Sequence, residues 1–240
     1  MASKKRLAVA LGLSMLSGSV LAESGALARN LLGDSLEDSG IRIHGWMQAG
    51  LIANDNGSDD VSKQAFFNND EGFNLNQLAL VIEKPVNSNV VSRATPTPGP
   101  MPEQVDWGFN VTALYGKDAN FFKTYGWDED LDVNNPADRD DEAFNVAQAY
   151  LEFYLPVLGG SNLMAGLFHT PLENEIGFPL PAPAPTEFYT HPYSFMHGPA
   201  KHAGLLYSAK LPTAPGENIW GFELGIVQGW NNLQDTNSDL

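Results

Sequence analysis

Apolar and polar side chains alternate along seven segments of the chain, each about ten residues long. Successive side chains of a β-strand point to opposite faces of its sheet, so a period of two predicts strands with one apolar and one polar face. Helical periodicity is almost absent outside a short leucine-containing stretch near the N-terminus. The pattern therefore predicts an all-β protein with strands at 40–54, 72–84, 105–116, 144–155, 161–170, 200–211 and 218–230.

The segment 105–116 shows the alternation most clearly, with Trp107 and Val111 on one side and Asn110 and Thr112 on the other. In the segment 144–155 the same rule assigns Ala147 to the apolar side, together with its alternating neighbours up to the end of the segment. One apolar face per strand is also typical of a soluble β-sandwich. Aromatic residues near the strand ends favour a membrane barrel instead; they are Trp107, Tyr115, Phe153, Trp220 and Trp230.

The connections also alternate in length, with long polar stretches at 55–71, 117–143 and 171–199 and short turns at 156–160 and 212–217. Outer-membrane barrels have long loops outside and short turns in the periplasm. The sequence thus predicts an antiparallel up-and-down transmembrane β-barrel. The connection 85–104 is the exception, because it contains a Pro-rich insert at 94–102 and is predicted to be disordered.

The N-terminus predicts export. A basic start (Lys4, Lys5, Arg6), an apolar run and a small-residue cleavage site predict a signal peptide at 1–22. Residues 23–39 are predicted to be a periplasmic leader, and 40–240 to be the N-terminal part of a barrel in the bacterial outer membrane. Seven strands cannot close a bacterial barrel, whose strand number is even, so we expect an incomplete barrel and further strands after Leu240.

Composition narrows the chemistry. The net charge of −16 disfavours nucleic acid as a partner, and the lack of cysteine excludes disulfides and thiol catalysis. The acidic run 128–132 lacks the glycine and glutamate of a calcium loop and is predicted to be a solvated loop. The spacing of His169, His191, His197 and His202 does not indicate a zinc site. Ser194 lies near two of these histidines, but without a nucleophile elbow. We expect no catalytic residue, metal or cofactor.

If the apolar faces contact outer-membrane lipid, the polar faces line a water-filled lumen through which small polar solutes diffuse. Lipopolysaccharide is then an expected neighbour, and the sequence leaves open whether the barrel forms a homo-oligomer. The predicted pore-lining residues are Arg42, His44, Gln48, Gln77, Asn110, Thr112, Gln148, Glu152, His202, Ser208, Lys210 and Glu223.

The Pro- and aromatic-rich loop 171–199 has two interpretations. It either folds into the lumen as a constriction or caps the barrel from outside. The aromatic and imidazole side chains of a constriction loop would be Phe178, Phe188, Tyr189, His191 and Tyr193.

A series of short motifs, taken in order, resembles the OmpL-like β-barrel porins. The motifs are Leu75-Asn76-Gln77, Glu83-Lys84-Pro85, Asp106-Trp107-Gly108-Phe109, Leu114-Tyr115-Gly116-Lys117-Asp118-Ala119, Gln148-Ala149-Tyr150, Ala165-Gly166-Leu167-Phe168, Phe188-Tyr189-Thr190-His191 and Gly229-Trp230-Asn231. The resemblance implies an outer-membrane barrel that continues past Leu240, without catalytic residues. The insert at 94–102 departs from the family pattern at the first short turn.

Three other functions stay open at this point: an outer-membrane barrel enzyme, a structural barrel that conducts nothing, and a soluble secreted β-sandwich that binds a ligand. The enzyme would need Ser194 or His191 for activity. The structural barrel would be silent in bilayers. The sandwich would stay in water without detergent.

Overall fold

The computed structural model describes residues 38–52, 72–92, 99–128, 142–171, 198–214 and 216–233. These residues form one antiparallel sheet in which each strand pairs with the next along the chain. The strands are β1 (Arg42–Ile52), β2 (Gly72–Lys84), β3 (Asp106–Gly116), β4 (Ala143–Leu155), β5 (Ser161–His169), β6 (Lys201–Lys210) and β7 (Gly221–Val227), with a 3₁₀ helix at Lys117–Phe122. The predicted all-β, up-and-down architecture is confirmed.

Directly paired residues lie on the same face of the sheet, so the alternation of one strand continues on its neighbours. On the polar side, Thr112 lies opposite Gln148, and Asn162 lies between Tyr154 and Ser208. On the apolar side, Leu151 lies opposite Ala165, which in turn lies opposite Leu205. A shift by one residue would exchange the two faces, so this pattern fixes the register of the sheet.

Two β-bulges interrupt the alternation. The register between β1 and β2 shifts at Gln48/Ala49, and that between β3 and β4 shifts at Thr112/Ala113. At the second bulge, Ala147 is the extra residue, and it is buried next to Gln148 on the polar face. The assignment of Ala147 to the apolar face was therefore wrong, since a bulge places two consecutive residues on one side.

The sheet has two different ends. At the turn end, residues 156–160 join β4 to β5, residues 211–220 join β6 to β7, and residues 85–105 join β2 to β3. At the opposite end, called here the loop end, the chain leaves β1, β3 and β5 for the long connections. In the described part of the chain, β1 and β7 are the edges of the sheet and do not pair with each other. The prediction of further strands after Leu240 stays a prediction.

The predicted signal peptide at 1–22 and nearly all of the leader at 23–39 lie outside the described residues. So do the loop 55–71, residues 129–141 of the loop 117–143 and most of the loop 171–199. Within the described ranges, no helix has the length and apolar character needed to cross a membrane.

The burial of the two faces is the reverse of that in a water-soluble sheet. On the apolar face, the exposed fractions are 74% for Phe73, 66% for Leu224 and 80% for Ile226. On the polar face, Asn110 and Gln148 are each only 1% exposed. A sandwich would bury the apolar face under a second sheet, but the described strands form a single sheet that leaves this face open.

Candidate functional site

The polar face brings the predicted pore-lining residues together on one side of the sheet. The register places Gln48 opposite Gln77, Thr112 opposite Gln148, and Ser208 opposite Glu223. Arg42, at the end of β1, is the exposed member of the set. The others are buried or half-buried: His44, Gln48, Gln77, Asn110, Thr112, Gln148, Glu152, His202, Ser208, Lys210 and Glu223.

A hydrogen-bonded chain of side chains crosses β1, β2 and β3 on this face. Glu83 accepts a hydrogen bond from the Asn110 amide at 3.2 Å, and its other carboxylate oxygen lies 3.2 Å from Nε2 of His44. The hydroxyl of Thr112 donates to Asn110 Oδ1 at 2.8 Å. Buried polar groups need such partners, so the chain holds these four side chains in fixed positions.

The 3₁₀ helix after β3 folds onto the polar face at the loop end. Its residues Ala119 and Phe122 belong to an apolar cluster. The other buried members of that cluster are Ala79, Leu114, Ala143, Ala147 and Ala200. Two polar contacts supplement this packing. The amide of Gln77 donates to Asp118 Oδ2 at 2.7 Å, and the amide of Asn145 donates to the Ala119 carbonyl. The start of the predicted loop 117–143 is therefore held inside, against the sheet.

Beyond the helix, the chain reaches β6 and the segment after β7. Asp128 accepts hydrogen bonds from the backbone N–H groups of Thr124 and Val146, and its carboxylate lies 3.9 Å from Nζ of Lys201. Lys201 also donates to the Val146 carbonyl at 2.9 Å, and both charged side chains are almost fully buried. The prediction that Asp128 begins a solvated loop was wrong, because this residue forms a buried ion pair.

The segment containing Tyr125 pairs with the chain that follows β7. The Tyr125 N–H donates to the Asn231 carbonyl at 2.8 Å, and the Leu233 N–H donates to the Tyr125 carbonyl at 3.0 Å. Trp127 and Leu233 line an open cavity over the apolar face, together with Leu167 and Ala203. This cover explains why Leu167, on the predicted apolar face of β5, is buried rather than exposed.

At the turn end, the β2–β3 connection folds back over the polar face. We call its described residues, 85–92 and 99–105, the inward connection. Asn162 of β5 donates to the Val90 carbonyl at 2.7 Å and to Glu152 at 2.8 Å, and Ser92 donates to the same Glu152 oxygen at 2.7 Å. The prediction of a disordered connection was wrong for these residues, because hydrogen bonds to side chains of β4 and β5 hold them in place.

The remaining predicted residues lie on β6 and β7. The Thr170 hydroxyl lies 3.1 Å from Nε2 of His202, and Ser208 donates to Glu223 at 2.7 Å. Lys210 lies within 3.4 Å of the Gly99 carbonyl of the inward connection. Glu152, Glu223 and Lys210 thus place charges of both signs along the turn-end half of the polar face.

Exposed aromatic side chains form two belts on the opposite, apolar face. Trp107, Phe153 and Trp220 are at the turn end, whereas Phe73 and Phe144 are at the loop end. Membrane barrels carry such aromatic girdles where the bilayer meets water. The predicted Trp230 is also exposed, just after β7, whereas Tyr115 is half-buried.

Several predicted functional residues lie outside the described part of the chain. These are all members of the possible constriction loop, namely Phe178, Phe188, Tyr189, His191 and Tyr193, together with Ser194 and His197. Of the four clustered histidines, the structure describes His169 and His202, at the loop end of adjacent strands. The His169 ring packs against the ring of Phe122 at a tilt of 41°, with 5.4 Å between ring centres. In the ranges that the structure describes, no three histidine or carboxylate side chains are arranged to hold a metal ion.

Sequence reasoning missed several residues that shape this face. Tyr150, Tyr154 and Asn162 have the same alternation phase as the predicted residues, so the period of two could have found them. Ser88, Asn89 and Ser92 could not be found in this way, because they belong to an irregular connection and contact residues far away in sequence.

The comparison with known families agrees with this geometry. Residues 40–240 match the family described as "Putative beta-barrel porin-2, OmpL-like". No curated protein and no solved structure matches the chain. The match spans all seven strands. The chain belongs to this OmpL-like β-barrel porin family.

Proposed function

We propose that the chain forms a water-filled pore of the bacterial outer membrane, through which small polar solutes diffuse passively. The observation that carries this proposal is the reversed burial of the sheet, with large apolar side chains exposed and amide side chains buried. Soluble monomers rarely expose a continuous apolar surface of this kind, whereas a lipid-facing barrel wall requires it.

The dimensions of the apolar face fit a bilayer. Trp107 and Tyr115 lie near opposite ends of β3 and are separated by about 27 Å along an antiparallel strand. A strand tilt of roughly 40° reduces this to about 20 Å across the membrane, close to the apolar band of about 25 Å in known barrels. Family membership supports the same assignment.

A pore of this type selects by diameter and by the charges of its wall, and it needs no chemical step. The polar face carries the carboxylates of Glu83, Glu152 and Glu223 together with the cations of Arg42 and Lys210, whereas the sequences of the long loops are strongly acidic. The hydrogen bonds of Asn110, Asn162 and Ser208 to these carboxylates hold them on the face. We therefore infer a mild preference for cations.

The test is conductance of the full-length protein, refolded in detergent and added to planar bilayers. We expect discrete ion-conducting steps and, in a gradient of potassium chloride, a reversal potential with the sign of a cation-selective channel. Anion selectivity would contradict the inferred preference. A protein that stays monomeric and soluble without detergent would overturn the pore itself, and a membrane-inserted protein without conductance would support a structural barrel.

A further inference from the structure

The inward connection lies over the face that would line the lumen, not beside the barrel. Its anchors on the strands belong to the polar face: Asp106, Glu152, Tyr154, Asn162 and Lys210. Its own Asn89, Val90 and Ser92 are buried against these strands. A short turn would leave the polar face of β4, β5 and β6 open at this end, whereas the inward connection covers it.

Several independent hydrogen bonds hold this cover. Ser88 donates to Asn162 Oδ1 at 2.7 Å, and Asn89 donates to the Gly159 carbonyl in the β4–β5 turn at 2.9 Å. After the gap in the described residues, the Pro102 carbonyl accepts a hydrogen bond from the Tyr154 hydroxyl at 2.9 Å. The first arm is thus attached to β4, β5 and the turn between them, and the second arm to β4 and β6.

The connection also lies so close to the β4–β5 turn that no side chain would fit between them at Gly160. A side-chain carbon added at Gly160 would collide with the amide oxygen of Asn89. Gly160 has a φ of 111°, a left-handed conformation that favours glycine. The β4–β5 turn therefore meets the connection in direct contact.

The carboxylate of Glu152, on the polar face, is bound by neutral hydrogen-bond donors. Glu152 accepts from Ser92 and Asn162 through the same oxygen, so the connection is bound to a charged wall residue. In a closed barrel, a solute that moves along the polar face from the loop end would pass between the described arms of the connection and the remaining strands. The connection as well as the strands would then set the width of the pore at the turn end.

We propose that the inward connection, residues 85–92 and 99–105, forms a fixed constriction at the turn end, and that this constriction sets the size limit of the pore for polar solutes and hydrated ions. The proposal rests on the proposed pore function. It assigns size selection to a connection between strands at the turn end, with Ser88, Asn89 and Ser92 as the residues that position it.

The first test is conductance of the full-length protein with the triple substitution Ser88→Ala, Asn89→Ala and Ser92→Ala. We expect roughly a twofold or greater rise in single-channel conductance and entry of larger sugars into proteoliposomes in swelling assays, because pore diameter limits both. The matched control is Asn87→Ala, since the side chain of Asn87 is exposed and its contact with Asp106 uses the retained backbone N–H. Wild-type conductance and size limit in a folded triple variant would overturn the constriction.

A second measurement separates this proposal from the pore function. The chain has no cysteine, so Ser92→Cys and Asn87→Cys each introduce a single thiol for labelling with a maleimide in detergent. We expect labelling at position 92 to be at least about tenfold slower than at position 87, because Ser92 is buried and Asn87 is exposed. Equal rates would overturn the packed connection even in a conducting protein. Slow labelling together with silent bilayers would support the packed connection and overturn the pore.

Discussion

The two segments that fold onto the polar face are held by different forces. The 3₁₀ helix at the loop end packs Ala119 and Phe122 into an apolar cluster and adds a few polar contacts. The inward connection at the turn end depends mainly on hydrogen bonds from Ser88, Asn89 and Ser92 to strand groups. The stabilisation by apolar burial grows with the apolar area removed from water. A buried hydrogen bond contributes little net free energy, but leaving one of its partners unsatisfied is costly.

A polar sheet face can thus hold an additional segment in two ways. At the loop end, the small residues Ala79, Ala143 and Ala147 make room for a helix within an otherwise polar face. At the turn end, the wall keeps its amides and carboxylates, and the connection supplies matching donors and acceptors. The loop-end segment should therefore respond to changes in side-chain volume, and the turn-end segment to the loss of single polar atoms.

The largest effect is expected from Lys201→Ala, which leaves the Asp128 carboxylate buried without its cation. Removing one partner of a buried ion pair costs about 3–5 kcal/mol. The free energy of unfolding, measured by urea titration of the refolded protein in detergent, checks the loss. The double substitution Lys201→Met with Asp128→Asn should recover part of it, since it removes both charges and keeps an acceptor oxygen for the backbone N–H groups. A stability equal to that of the wild type in Lys201→Ala would show that the pair does not anchor the loop-end segment.

Phe122→Ala comes next and tests the apolar attachment of the helix. Phe122 is buried in the cluster, so its truncation should lower the free energy of unfolding by about 3 kcal/mol. Phe121→Ala is the matched control, because Phe121 is only partly buried against the same cluster and should cost less. Equal losses for both variants would contradict the burial-based ranking. The inward connection should keep its protection from protease in each of them.

A smaller loss is expected from Asn162→Ala, which tests the polar attachment at the other end. This change removes the donor to Val90 and Glu152 and the acceptor of Ser88. Leaving these groups unsatisfied should cost about 2 kcal/mol. Limited proteolysis should show faster cleavage within 86–105 and unchanged cleavage near the helix. Asn120→Ala, which removes a hydrogen bond within the 3₁₀ helix, should instead speed cleavage near the helix and leave 86–105 unchanged. Faster cleavage at the helix in Asn162→Ala would contradict the distinction between the two ends.

The smallest effect is expected from Lys84→Ala at the rim, where the connection begins. The Lys84 ammonium lies 3.4 Å from Asp106 and 4.6 Å from the ring centre of Trp107, at a partly exposed site. Partly exposed ion pairs contribute at most about 1 kcal/mol, so stability should fall by less than that. Raising the salt concentration should reduce the difference between variant and wild type further. A loss as large as that of Asn162→Ala would place the main anchor at the rim.

The sequence predicted the strands and their faces because side-chain alternation is a local property. Residues such as Asn110, Thr112 and Gln148 were assigned to the polar face, where the structure places them. The bulge at Ala147 was not predicted, because alanine is small and weakly apolar and is compatible with either face of the sheet. Bulges depend on how two strands pair, and a single strand does not carry that information.

The inward connection and the buried Lys201 were missed for a different reason. The proline-rich composition of 94–102 indicated disorder, but the neighbouring Ser88 and Ser92 bind residues on strands that come much later in the chain. Lys201 is the first residue of β6, and a lysine at the end of a strand is ordinarily expected to be exposed. Its partner Asp128 belongs to an acidic run that resembles any solvated loop. Contacts of this range need the three-dimensional pairing of the strands.

The inward connection also implies an order of assembly. Ser92 and Glu152 are 60 residues apart, Ser88 and Asn162 are 74 apart, and Lys210 and Gly99 are 111 apart. Closing such long stretches of chain is entropically slow until the intervening strands are paired. The hairpins formed by β1 to β4 therefore pair before the connection is held in place. In the proposed pore, the turn end would reach its final width only after β5 and β6 have joined the sheet.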